Sequence, residues 1–268
     1  MVAEAADFRA ESQALHDLLA SRADIDWSRP TQFKGWTFDN VLRHLHFWNI
    51  AADLSLSDED GFDRMVANFR SGPGRGEPMT AVEARVLDGL AGPELLAAWQ
   101  AHFTAMTDRF LAADPKQRLK WVGPTMSARS SITARLMETW AHGQEVYDAL
   151  GVVRRNEDRI RSICVLGINT FGWTFMNRKL EVPSPVPQLR LTAPSGEVWE
   201  WNTDNADDVV EGPAEDFCQV VTQVRALEDV KLAVRGPIAT QWMAFAQCFA
   251  GPPVDPPAPG TRFTARAD

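Results

Sequence analysis

The chain of 268 residues has five histidines, His16, His44, His46, His102 and His142, so the search for a reactive centre is short. The segment RLMETWAHGQEV sets Glu138 and His142 four residues apart. On a helix that spacing puts a carboxylate and an imidazole one turn apart and within about 40° of each other. Such a pair can take one metal ion from a single helix. Arg135 and Glu145 extend the same stripe, and Arg135 is the candidate for holding a bound cofactor. The bland alternative is a solvated ion pair on a surface helix. The helical wheel speaks against it. With Ile132 at 0°, Leu136 falls near roughly 40° and Val146 near 320°, whereas Glu138 and His142 fall near roughly 240° and 280°. The pair therefore flanks the apolar face at the edge of a bundle interior, where ionised groups need a partner.

A second stretch, GWTFDNVLRHLHFWN, carries His44 and His46. Two residues apart on a helix means about 200°, so both cannot face one interior. His44 lies about 60° from Val41, on the shoulder of the apolar face, and is the inward candidate. His46 is expected at the surface or as a secondary contact. One histidine from an early helix, with a glutamate and a histidine from a later one, leaves coordination positions open. Open positions suit Lewis-acid binding of a substrate or thiolate, or water activation. His102 lies on an apolar helix face and reads as a packed core residue, with a fourth-ligand role as the alternative. His16 has no visible partner.

Composition removes other chemistries. Cys164, Cys218 and Cys248 are odd in number and far apart, which excludes a disulfide framework and a paired-cysteine zinc site. Cys164 reads as a buried small hydrophobe, while Cys218 and Cys248 lie on amphipathic helices with no His or basic residue beside them in sequence; a cysteine nucleophile is the alternative. The net charge of -9 argues against nucleic-acid partners. No run of about 18 apolar residues is present to span a membrane. The acidic start, Met1 to Glu11, lacks the layout of a secretion signal. A cytoplasmic protein acting on a small molecule is the expectation, with a homodimer left open. Ten tryptophans against one tyrosine, Trp36 among them, imply a bulky aromatic core, with an aromatic-lined pocket as the alternative.

The elements that must position these residues are mostly helical. Apolar residues recur at helical spacing over 5–21, from Thr37 through Ala52, over 93–112, over 131–150 and over 157–180. Thr37 is the expected N-cap of the second helix, with Trp36 stapled onto Val41. Residues 57–79 are polar and glycine-rich around a short helical stretch. Thr80 to Glu83 reads as a capping box, Ser130 or Ser131 as the cap of the fourth long helix, and Gly151 as its stop. The pattern changes at the proline-rich VPSPVPQ. Beyond it QLRLTA and EVWEWN read as strands around a Pro194-Ser195-Gly196 turn, followed by a helix near 214–226, a strand-like VKLAVRG and a helix near 238–249. The expectation is a mainly α protein: an up-down four-helix bundle over 1–182, then a small α+β domain over 183–268.

The pairing of GWTFDNVLRHLHFWN with RLMETWAHGQEVYDALG resembles the DinB-like metal-binding bundles, and within them the mycothiol-dependent maleylpyruvate isomerase N-terminal type. The resemblance covers about the first 180 residues. It implies a divalent ion, zinc, held at the matching positions His44, Glu138 and His142. It also implies a low-molecular-weight thiol such as mycothiol as cofactor. The segments LRLTAPSGEVWEW, VVEGPAEDFCQVVTQVR and AFAQCFAGPP resemble the small domain that follows this bundle, which in some chains is of a wyosine-base-formation type. In the isomerase an arginine of the small domain assists catalysis. Arg225 is the matching position and Arg235 the second choice.

Three functions compete. The first is a thiol-dependent isomerase or transferase in which the ion lowers the thiol pKa and Arg225 holds a substrate carboxylate. The second is metal-assisted hydrolysis with Glu145 as base. The third is a non-catalytic binding protein with a closed site completed by His102 or His46.

Overall fold

The computed structural model describes residues 1–71 and 76–265. Residues 72–75 of the glycine-rich stretch lie outside them. Internal contacts divide the chain into two compact units, Met1–Val146 and Tyr147–Asp268. The helical residues from Arg161 to Asn177 thus group with the sheet, whereas the sequence pattern put the division at 182/183.

In the first unit four helices dominate: α1 (Glu4–Ala20), α2 (Phe38–Ser57), α5 (Gly92–Ala112) and α6 (Ala128–Ala149), whose last turn runs past Val146. Two shorter helices, α3 (Glu59–Ser71) and α4 (Met79–Val86), lie between α2 and α5 in sequence and pack on α2. A short antiparallel pair, β1 (Arg118–Leu119) with β2 (Met126–Ser127), precedes α6. The core is aromatic: Phe8, Phe38, Phe47, Trp99, Phe103, Phe110 and Trp140 are buried. α2 is enclosed more completely than a surface helix. It buries Val41, Leu42, Leu45 and Phe47, and also the polar His44, His46, Asn49 and Asp53. No described helix is long and apolar enough to cross a membrane.

Local grammar explains how α2 and α6 start. Thr37 caps α2 reciprocally with Asn40: its Oγ1 accepts from the Asn40 N–H at 3.2 Å, and Asn40 Oδ1 accepts from the Thr37 N–H at 3.1 Å. α6 is capped by Ser127, whose Oγ accepts from the Ser130 N–H at 3.1 Å, so Ser130 and Ser131 lie inside the helix. The capping box expected at Thr80 to Glu83 does not form. α4 starts after Pro78 with no side-chain cap, because the Glu83 carboxylate is turned into the protein instead.

In the second unit Gly151 (φ 68°) follows the end of α6, and its N–H reaches the Asp148 carbonyl at 3.1 Å. The continuous helix expected over 157–180 is two helices, α7 (Arg161–Asn169) and α8 (Phe171–Asn177). The break is at Thr170, whose hydroxyl donates to the carbonyls of Leu166 (2.8 Å) and Gly167 (3.0 Å). Strands β3 (Gln188–Thr192) and β4 (Val198–Trp201) form the expected hairpin. With β5 (Val209–Pro213) and β6 (Ala233–Arg235) they make a sheet of order β4-β3-β5-β6, in which only β3 and β5 are parallel. α9 (Ala214–Val221) and α10 (Pro237–Met243) are shorter than their sequence patterns. The chain is mainly α with a small α+β part.

Candidate metal centre

Three side chains separated by up to 98 positions in the chain meet in the first unit. His44 on α2 and His142 on α6 each turn Nε2 toward Oε2 of Glu138, at 3.4 Å in both cases. The ligand atoms of all three lie within 4.8 Å of one another. For a tetrahedral ion the ligand–ligand edge is 1.63 bond lengths, or about 3.3 Å for bonds of roughly 2.0 to 2.1 Å. The two nitrogen–oxygen separations match that edge, so the donor set suits a divalent ion.

The far sides of the imidazoles are equally fixed. His44 Nδ1 lies 2.8 Å from Oε1 of Glu83, which also accepts from Trp48 Nε1 at 3.1 Å. His142 Nδ1 lies 3.2 Å from Oε2 of Glu145. Each imidazole thus has a carboxylate behind it and a shared carboxylate in front. That arrangement puts the proton on Nδ1 and leaves the Nε2 lone pair free for a cation. Glu83 is fully buried and Glu145 nearly so.

Charge points the same way. Counted formally, the carboxylates of Glu83, Glu138 and Glu145 against the Arg135 guanidinium leave −2 with neutral imidazoles, which one dication cancels. Without an ion, His142 is the group that takes up charge. Burial opposes charging His142, but the carboxylates of Glu145 and Glu138 override it and raise its pKa to about 10. Burial likewise pushes Glu138 up, yet hydrogen bonds from His142 and His44 hold it well below the usual carboxylate range. Arg135 is 3% exposed; burial lowers its pKa to about 10 against the pull of Glu138 and Glu83. Its Nε donates to Asn49 Oδ1 at 3.0 Å, and its Nη2 is buried with no hydrogen-bond partner among the described residues.

One wall of the centre is aromatic. The loop before α2 is closed by a bridge between Pro30 and Thr37, a 2.7 Å bond from the Thr31 N–H to the Trp36 carbonyl, and a turn with positive φ at Lys34 and Gly35. It places the Trp36 indole nearly parallel to His142, centroids 5.4 Å apart, and 5.1 Å from His44. Phe33 meets His142 edge-on at 5.1 Å. Trp36, expected as the staple residue before α2, has its ring against the imidazole pair.

The remaining candidates lie elsewhere. His46, expected at the surface, is 6% exposed, because α2 is packed on all sides. Its ring meets His102 at 5.5 Å, and His102 Nε2 lies 3.6 Å from Asp53. Neither histidine joins the three-residue group. Arg225 lies in the second unit, 8% exposed, with Nη2 at 2.7 Å from both oxygens of Asp148. Arg235 lies at the end of β6. Cys164 and Cys218 are buried thiols 3.5 Å apart, and burial raises Cys218 well above the normal range. Glu83 and Trp36 are the site residues that sequence reasoning missed. Glu83 was hidden by a pattern that made local sense as a helix cap, and Trp36 by one that made sense as a staple.

Fold and site together define a helical bundle with a centre of two histidines and one carboxylate, followed by a small α+β unit. The chain belongs to the mycothiol maleylpyruvate isomerase N-terminal domain family, whose model matches residues 8–147. It is 40% identical over 248 residues to uncharacterized proteins of two Mycobacterium tuberculosis strains, covering 92% of this chain and 95% of each relative. Its fold is similar to the crystal structures of the mycothiol-dependent maleylpyruvate isomerase and of a histidine-to-alanine mutant of it, with TM-scores of 0.54 and 0.55. Those alignments cover 86% of this chain and 91% of the other at 14% identity, a likeness of fold.

Proposed function

We propose that the protein is a metal- and thiol-dependent isomerase or transferase acting on a small molecule in the cytoplasm, with His44, Glu138 and His142 as ligands of a divalent ion, zinc by preference. One observation carries this reading: both ligand imidazoles are braced by carboxylates on Nδ1 while their Nε2 atoms stand at tetrahedral-edge distance from a shared carboxylate. When bound, the ion supplies a Lewis acid that lowers the pKa of a thiol. The protein's own part is orientation. Glu83 and Glu145 fix the imidazoles, and Glu138, its side chain 23% exposed against 9% and 10% for the histidines, marks the more open side. Arg135 is proposed to balance the carboxylates and to present its unpartnered Nη2 to an acceptor of the cofactor. The part proposed for Arg225, holding a substrate carboxylate, requires that carboxylate to replace Asp148 on Nη2.

The hydrolytic alternative asks Glu145 to serve as general base. That carboxylate is 5% exposed and engaged with His142 Nδ1, which supports orientation over proton abstraction from a guest. Elemental analysis of the purified protein, then titration with mycothiol and with ester probes, separates the two. Stoichiometric metal with saturable thiol binding is the expected result. Absence of metal, or ester hydrolysis indifferent to thiol, would sink the proposal.

A further inference from the structure

In the second unit the chain beyond α10 forms no helix or strand among the described residues. Its first part is anchored. The Val254 carbonyl accepts from Gln223 Nε2 at 2.9 Å and from Arg178 Nη2 at 2.6 Å, and the Val254 N–H donates to Gln247 Oε1 at 3.0 Å. The proline-rich stretch 256–259 follows, stiff by composition. Gly260 (φ 73°) then turns the chain, its N–H held by the Asp229 carboxylate at 2.9 Å. The tip beyond this bend lies on Asp148. Thr264 Oγ1 donates to Asp148 Oδ1, and the Ala265 N–H donates to the Asp148 carbonyl, each at 2.9 Å. Asp148 in turn lies on Arg225, with both of its oxygens 2.7 Å from Nη2. These two side chains are 4% and 9% exposed. A buried ion pair depends on donors that fix the carboxylate and on the exclusion of water. The tip supplies such donors from a segment with no ladder of its own, and its aromatic residue, Phe263, is 54% exposed.

We propose that residues 260–265 are an autoinhibitory strap: they hold Asp148 on Arg225, and a guest carboxylate reaches that guanidinium once the strap lets go of Asp148. The proposal rests on the part given to Arg225 above and says what stands between it and its guest. The base at Val254 and the bend at Gly260 are tied independently of Asp148, so the tip can lift without unthreading the rest of the segment. With the tip lifted, Asp148 loses the Thr264 hydroxyl and the Ala265 N–H and meets water. The Arg225 guanidinium then exchanges one carboxylate for another of the same charge, at little electrostatic cost.

The test is the rate at which phenylglyoxal labels Arg225 in the full chain, read by peptide mass spectrometry against the exposed Arg155 as internal reference. In the parent, Arg225 should label at least about tenfold more slowly than Arg155. Thr264→Val with Ala265→Pro removes both bonds to Asp148 and should raise the relative rate about threefold to tenfold. Thr264→Ser, which keeps the hydroxyl, should stay within about twofold of the parent. Acetate should slow the labelling in the double variant, as a carboxylate on the freed guanidinium. If the double variant does not keep the parent's melting temperature, Thr264→Val alone takes its place, with a rise of about threefold expected. A relative rate unchanged in the valine variants, an equal rise in Thr264→Ser, or labelling indifferent to acetate overturns the proposal. So does a parent in which Arg225 labels as fast as Arg155. The assay needs neither metal nor thiol, so its failure leaves the metal- and thiol-dependent reading standing, and a protein without metal leaves the strap standing.

Discussion

Replacing Glu83 by glutamine isolates the contribution of a charge that never touches the ion. The side chain is fully buried, and its Oε1 serves both His44 Nδ1 at 2.8 Å and Trp48 Nε1 at 3.1 Å. Glutamine keeps the shape and one acceptor oxygen, so both hydrogen bonds can persist; only the charge is lost. A hydrogen bond to a charged group is worth about 1.5 to 3 kcal/mol and a neutral one about 0.5 to 1.5, a difference of roughly 1 to 1.5 kcal/mol. Only the bond to His44 is coupled to the ion, so the loss in affinity should be about tenfold, the lower end of what outer carboxylates contribute behind metal-bound histidines. Competition of zinc between the protein and a chromophoric chelator near neutral pH measures it, with thermal unfolding as the control for fold. Glu145→Gln, whose bond is longer at 3.2 Å, should lose less. A Glu83→Gln protein with the parent's melting temperature and an affinity within about twofold of it would refute the idea that the outer carboxylates set the strength of the centre.

Other expectations follow from the same geometry. Removing a direct ligand, in His142→Ala or Glu138→Gln, should lower metal affinity by more than about 100-fold, beyond the range of outer residues, and leave the purified protein without stoichiometric metal. Acid should weaken the fold through His46, whose pKa is pushed down from 6.5 to about 4 by burial and by His102. Above pH 6.5 both folded and unfolded forms are neutral there; between 6.5 and about 4 only the unfolded chain takes the proton, so stability falls by up to about 3 kcal/mol. Denaturant unfolding as a function of pH should show a shallower decline in His46→Leu, and parallel curves would count against this account. In the second unit Arg225→Met should destabilise by about 3 to 5 kcal/mol by stranding Asp148, and Arg225→Met with Asp148→Leu should recover most of it. Equal losses in the single and double variants would show that the pair is not coupled.

What the sequence made legible was local. The i,i+4 pair on α6, the Thr37 cap, the Gly151 stop and the Pro194-Ser195-Gly196 turn all depend on residues within a few positions of one another. The angular argument went one step further and chose His44 over His46 as the inward-facing residue near Glu138. It failed for His46 because it assumed that α2 has a wet side, and packing with three other helices removes that side. Glu83 was illegible for a related reason. Its partner is 39 residues away, and the Thr80–Glu83 spacing offered a complete local explanation that tertiary structure overrode. Trp36 was read as an apolar staple, because nothing local announces that the surface it covers is made of imidazole. The division near residue 147 fell in the middle of a strong helical pattern, where composition does not change.

Because α2 presents His44 to one side and His46 to the other, its rotation about its own axis is not adjustable. A single residue inserted between Thr37 and His44 would turn everything downstream by about 100°, swinging one imidazole off Glu138 and the other off His102 together. Length variation in this segment should therefore be lethal to the fold before it is harmful to chemistry, and descendants of this design are expected to lengthen or shorten only in the connections between helices.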